Sequence, residues 1–391
     1  MKTHVALPVS QRLSQARRRS LMLALAGGAA LASMSARAQP APGKGDILIG
    51  RSTALSGGMA PFLAPIHEGQ DAAVEDANAK GGIGGRKIRL VTLDDGFDPR
   101  RTLENARQLS EKEGVLALLG VSGTSQVMAL LPYLVQAKLP LISVYTGSPA
   151  IRAQQHPYLF TTRASYADEL VKIVRNLVAV QTSRIAVAYE NNDFGKLLLP
   201  LVEKTIAAEG ATLAGSHAIA PTGADANDTA KALAAQKPQA VLLVAAGPPV
   251  VAYVRANRAH LGVPVYTLSL GAGSAVLKAL GDDARGLAVA RTGPSPTKPT
   301  IALTRDFQAS MKRHDKPVDY DRYTGYMDAR VLIEGLRAAG PGVTRASLVQ
   351  AMEGLGNLDL GGYSYQFSPQ NHHGSNYVDI AVVGSGGVYR Q

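Results

Sequence analysis

Two short loops carry the side chains best suited to chemistry, Ser122-Gly123-Thr124-Ser125 and Tyr145-Thr146-Gly147-Ser148. Hydroxyls interleaved with glycine, beside free backbone N–H groups at a helix start, suit an anionic or strongly polar small ligand. Ordinary turn and cap chemistry draws on the same residue types. A secreted serine hydrolase is a third reading, with Ser122 as nucleophile. Against it, Gly120-Val121-Ser122-Gly123-Thr124 departs from the G-x-S-x-G elbow at its last position, and no ordered Asp and His partner can be assigned to Ser122. The chain is therefore expected not to be an enzyme. Residues 81–87 are glycine-rich but do not fit G-x-x-x-x-G-K-[ST], and no G-x-G-x-x-G follows the first strand. Asp193-Phe194-Gly195 stands without the other kinase signatures and reads as a helix start capped by Asp193. His372 and His373 are adjacent, so their side chains diverge, and no third ligand accompanies them. No metal and no cofactor are expected.

Both hydroxyl loops follow a short, continuously apolar run, residues 115–119 and 139–144, as for parallel strands buried on both faces. Between the runs, Val127, Leu130, Leu131, Leu134 and Val135 recur at helical spacing, with Ser122 or Thr124 available as a cap. The unit is βαβ. Parallel strands place both loops on one edge of the sheet, where open α/β sheets bind ligands. Upstream, a strand over 46–52, a helix over 66–80, a strand over 88–93 and a helix opened by Asp98-Pro99 extend the alternation. Downstream, apolar strands at 184–189, 240–246 and 263–268 alternate with helical patterns at 195–209, 225–236 and 248–261, which predicts a second α/β lobe. Glycine and proline at 292–299 mark a connection between substructures.

The amino terminus reads as a signal peptide over residues 1–38. Arg17-Arg18-Arg19 precedes an apolar run over 21–32 and then Ala36-Arg37-Ala38, so cleavage is expected after Ala38. Export by the Sec or the twin-arginine route, and a periplasmic protein, follow from it. The 391 residues carry net charge +11; removing the six basic residues of the signal leaves +5 over 353 residues. The remaining basic residues are dispersed, without an aromatic-interleaved stripe, so no nucleic-acid partner is expected. There is no cysteine, so the fold rests on its core without disulfides.

The segments LSGGMAPF and EGQDAAVEDANAKGGIGGRKIRLVTLDDGFDPRRTLENARQL, with the GVSGTSQ and VYTGSPAIR loops, resemble the solute-binding proteins of branched-chain amino acid ABC transporters. Similar segments recur at 160–169, 184–195, 323–330 and 368–375, so the resemblance covers most of 46–391. It implies the leucine-binding-protein-like, type I periplasmic-binding fold: α/β, with two doubly wound parallel-sheet lobes joined by a three-crossover hinge. One lobe is then expected over 45–161 plus 297–361 and the other over 166–290 plus 365–391, with crossovers at 162–165, 291–296 and 362–364. It further implies a monomer that captures a small polar ligand and passes it to a membrane ABC permease. A sensor reporting to a membrane receptor is the alternative on the same fold. By resemblance, Ser122, Gly123, Thr124, Tyr145, Thr146 and Gly147 would hold a ligand carboxylate, Phe62 would form an aromatic wall, and Tyr166 and Tyr323 would face the ligand. Alignment puts Ser269 where amino-acid binders carry a carboxylate for the ligand ammonium, and Gly247 where they carry a tyrosine. That departure favours an organic or aromatic carboxylate, or an amide, over an amino acid.

Overall fold

A computed structural model describes residues 45–153, 155–385 and 389–390; the expected signal peptide lies outside the described residues. The first sheet contains β1 (Ile47–Thr53), β2 (Ile88–Asp94), β3 (Ala117–Ser122), β4 (Leu141–Tyr145) and β5 (Leu159–Phe160) in the order β2-β1-β3-β4-β5, all parallel. All six residues of β3 are buried. That explains the apolar run that fills it up to Ser122, since helices cover both faces of the sheet. Val127, Leu130 and Leu134 of the helix Thr124–Ala137 pack on one face. Tyr323, Met327 and Ile333 of the helix Tyr320–Ala339 lie in the core of the other.

The second sheet is built from β6 (Arg184–Glu190), β7 (Thr212–Ile219), β8 (Ala240–Val244), β9 (Val265–Thr267), β10 (Ala288–Arg291), β13 (Asp379–Val383) and β14 (Tyr389–Arg390). Its order is β14-β13-β10-β9-β8-β6-β7, with β13 antiparallel to both β10 and β14 and the remaining pairs parallel. The chain crosses between the sheets after β5, after β10 and before β13.

The third crossing differs from the expected 362–364. β11 (Gly356–Asp359) and β12 (Ser364–Phe367) form a hairpin whose Tyr365 and Phe367 belong to the first lobe's core. Phe367 meets Phe160 edge-on at 6.0 Å, and Gly374 N donates to Thr161 O at 2.8 Å. The chain therefore leaves the first lobe only beyond residue 374. Burial of two large aromatic side chains keeps this segment in the first lobe past the crossing that the family resemblance implied.

The helix expected at 66–80 begins earlier, as Ala60–Ala79, and carries Pro65 inside it. Pro61 lies in the first turn, where a missing N–H costs nothing. Burial of Leu63 and Ile66 then holds the helix through the second proline. This helix crosses Tyr320–Ala339 at backbone distance. A Cβ on Gly69 would stand 1.9 Å from Arg322 O, and one on Gly325 would stand 1.9 Å from Ile66 O. The glycine pair fixes where helix Tyr320–Ala339 enters the space between the lobes.

Candidate functional site

The carboxyl ends of four parallel strands meet across the lobes. β3 ends at Ser122 and β4 at Tyr145; β6 ends at Glu190, and Ala246-Gly247 follow β8. All line one cavity of about 390 Å³. The first turns of Thr124–Ala137 and of the helix Asp193–Ala208 border it from opposite lobes. Such a crevice outside the strand ends is where α/β sheets bind ligands.

Of the sequence-nominated residues, Phe62, Ser122, Gly123, Thr124, Tyr145, Tyr166 and Gly247 line this cavity, together with Ser125 of the same loop. Neither Ser122 nor Thr124 caps the helix; Gly123, at φ 95°, occupies that position without a side-chain bond. Ser122 Oγ is buried with no hydrogen-bond partner among the described residues. Thr124 Oγ1 pairs with Thr146 Oγ1 at 2.9 Å. Gly247 adopts φ 70°, and a Cβ there would contact the Phe62 ring at 3.6 Å, so Phe62 spans the gap between the lobes.

The other nominated residues lie elsewhere. Thr146 is buried behind Thr124 and accepts from Ser148 N at 3.2 Å. Gly147 supports the wall, its O accepting from Tyr166 N at 2.7 Å. Tyr323 is a core residue, stacked on Phe307 at 4.4 Å and hydrogen-bonded to Thr304 at 2.7 Å. Ser269 does not reach the cavity: its N and Oγ donate to Glu169 at 2.7 and 2.8 Å. Arg163 donates to Ser269 Oγ as well, and its guanidinium lies 4.6 Å from the Tyr145 ring centre. Ser269 is thus part of a buried polar cluster behind the cleft floor. Asp193 is not a cap either, since Asn192 accepts from Gly195 N at 3.0 Å. His372 is a packing residue, stacked on Phe160 at 4.0 Å.

The cavity gains residues that sequence reading missed. Phe97 and Phe194 add aromatic wall, with Met59, Leu63 and Leu270. Phe97 sits at φ 64°, a conformation that costs a bulky residue ~1–3 kcal/mol. Its N donates to Asp95 at 2.9 Å and its O accepts from Gln126 Nε2 at 2.6 Å, which holds the strained backbone in place. Three acids, Glu190, Asp193 and Asp321, also line the cavity, and among the described residues no lysine, arginine or histidine does. Glu190 is 8 % exposed, and one oxygen accepts from Ala246 N at 3.2 Å. Burial pushes its pKa up to about 6. Asp321, on a first-lobe helix, accepts from Ser274 N at 2.6 Å and Ser274 Oγ at 2.9 Å across the lobe boundary. One signal for Glu190 was in the sequence: it directly follows the strand expected at 184–189, at that strand's carboxyl end.

Among the described residues that line the cavity with Ser122 there is no histidine or lysine. Two α/β lobes around an inter-lobe cavity, with polar groups at strand ends and aromatic walls, define a two-lobed ligand-capture protein. The chain belongs to the periplasmic binding protein family, whose model matches residues 46–387. It is a substrate-binding protein of the leucine-binding-protein-like, type I periplasmic fold. It is 24% identical over 366 residues to Leu/Ile/Val-binding protein homolog 7 of Brucella melitensis, covering 88% of this chain and 90% of that protein. The substrate-binding periplasmic protein of Ralstonia solanacearum superposes with a TM-score of 0.81 at 30% identity, over 88% of this chain and 99% of that one. An ABC-transporter solute-binding protein from R. palustris, solved in complex with benzoate, superposes with a TM-score of 0.77 at 20% identity, over 88% and 95% of the two chains.

Proposed function

We propose that this chain captures, in the periplasm, a small ligand with an apolar or aromatic body and two polar ends, closes its lobes on it, and delivers it as a monomer to a membrane ABC importer. The carrying observation is that one cavity is lined by groups suited to both charges of such a ligand. The unpartnered Ser122 Oγ and an uncapped helix start favour a carboxylate. Glu190 from the second lobe and Asp321 from the first favour an ammonium. The acid missing at Ser269 is thus supplied from other strand and helix ends, so an ammonium has a partner in this cavity. A hydrophobic amino acid, or another amine-bearing acid of that size, fits better than a simple carboxylate or amide. Desolvating an ammonium without a partner costs several kcal/mol, enough to decide between them.

The aromatic lining favours a second reading, an aromatic carboxylate, as in the benzoate-bound R. palustris protein. Glu190 would then bind in its protonated form and donate to the ligand. Calorimetry on unfolded and refolded protein separates the two, using leucine, phenylalanine, benzoate and benzylamine at pH 5 and 7.5. The amino acids should bind at least about tenfold more tightly than either half-molecule at pH 7.5, the energy of one charge-assisted hydrogen bond. Benzoate binding that strengthens at pH 5, without a response to amino acids, would establish the second reading instead. Loss of labelled-ligand uptake in cells lacking the chain tests importer delivery against signalling to a receptor.

A further inference from the structure

A second cavity, of about 490 Å³, adjoins the first and is also walled by both lobes. Ala272, Ser274, Lys278 and Arg291 line it from the second lobe, Thr297 and Tyr320 from the first. The Ser274–Asp321 hydrogen bonds stand between the two cavities, Ser274 facing one and Asp321 the other.

Arg291, the last residue of β10, is 3 % exposed. Its guanidinium carbon lies 4.2 and 4.3 Å from the ring centres of Tyr320 and Tyr389, which meet each other edge-on at 5.1 Å. Nη2 donates to Ala272 O at 2.9 Å and to Tyr389 Oη, and Nη1 reaches Ser269 O at 3.5 Å. Nε is buried with no hydrogen-bond partner among the described residues, and the Tyr320 hydroxyl has Ser295 for a polar neighbour. Among the described residues no carboxylate lies within 4.0 Å of this cation; the ion pairs of the neighbourhood go to other residues. Two tyrosine faces, two carbonyls and the field of the buried Glu169, which itself bonds Ser269, soften the charge, but none of them gives the guanidinium a bonded anion. Of the acids bordering the cavity, Asp319 is tied to Arg322, whose N donates to it at 2.9 Å, and Asp282 is exposed to solvent. Lys278, exposed at the rim, adds a second positive charge.

We propose that this second cavity binds a small oxyanion, a carboxylate or phosphate, through Arg291 and Tyr320 with Lys278 at its rim. Both lobes supply the walls, so the anion holds them together and raises affinity in the first cleft; by linkage, the first ligand raises affinity for the anion.

The test uses the full chain, refolded in a buffer free of oxyanions, titrated calorimetrically with inorganic phosphate and, separately, with acetate. Saturable binding of one equivalent is expected, and the tighter of the two probes identifies the source of the oxyanion. Arg291→Gln should weaken binding by about tenfold or more, as for loss of a charge-assisted hydrogen bond. Lys278→Glu, at an exposed site that leaves the fold intact, should weaken it several-fold and decides the matter if Arg291→Gln fails to fold. Absence of saturable binding to the unsubstituted chain, or affinity unchanged by Lys278→Glu and by a folded Arg291→Gln, overturns the proposal.

Discussion

Replacing Glu190 with glutamine should stabilise the ligand-free protein at neutral pH while weakening its grip on an amine-bearing ligand. The carboxyl is held at about 6 in the fold against 4.5 in the unfolded chain, because burial penalises its charged form. The folded chain binds the proton more tightly, so stability is highest below 4.5 and falls as pH rises through 6. At 1.36 kcal/mol per pH unit the full loss is roughly 2 kcal/mol, and partial solvent access through the cavity lowers it to about 1–2 kcal/mol. The amide of Glu190→Gln does not titrate, and its oxygen can still accept from the Ala246 N–H. Wild type and variant should therefore melt alike near pH 4, with the variant about 2 °C higher at pH 7.5. Asp328, buried beside Thr162 and also raised to about 6, titrates in the same window. It contributes equally to both proteins and cancels in the difference. Thermal melts from pH 4 to 8, with calorimetry on the ligand, read both effects. A variant less stable than wild type at pH 7.5, or a difference that does not change with pH, refutes the account of Glu190.

A pair of loop substitutions, two changes around the helix Tyr320–Ala339 and one processing event are also open to measurement. Thr124→Ala should reduce the stabilisation that a true ligand confers, ~2.7 kcal/mol at a hundredfold excess over its dissociation constant, with little effect on the ligand-free melt. Its companion Tyr145→Ala should do the same and also lower the ligand-free melt by about 1 kcal/mol, since its ring covers the buried Arg163 guanidinium. Asp321→Ala removes both hydrogen bonds to Ser274 across the lobes; small-angle scattering should show a more open ligand-free particle, and ligand affinity should fall by about tenfold. Gly69→Ala forces the helices Ala60–Ala79 and Tyr320–Ala339 apart and should destabilise by about 3 kcal/mol in urea unfolding, with an unchanged melt contradicting the close crossing. N-terminal sequencing of secreted protein should begin at Gln39, in keeping with Ala36-Arg37-Ala38.

The alternation of apolar runs and helical spacings was enough to reach two α/β lobes, because strands buried on both faces must be continuously apolar and their crossover helices must be amphipathic. It also placed Ser122, Thr124 and Tyr145 on one sheet edge, since parallel strands all deliver their carboxyl ends to the same side. Local chemistry could not show which aromatic residues face inward. Tyr323 and Phe194 are both plausible as ligand walls, yet stacking on Phe307 draws the first into the core while the second lines the cleft. Nor could it show that Ser269 hydrogen-bonds to Glu169, 100 residues away, while the cleft takes its acids from β6 and from a helix of each lobe. The third crossing moved for a similar reason: Tyr365 and Phe367 find their partners in a core assembled from distant segments. Periodicity along the chain reports which face of an element is buried; only packing between elements decides which buried or half-buried side chain meets the ligand.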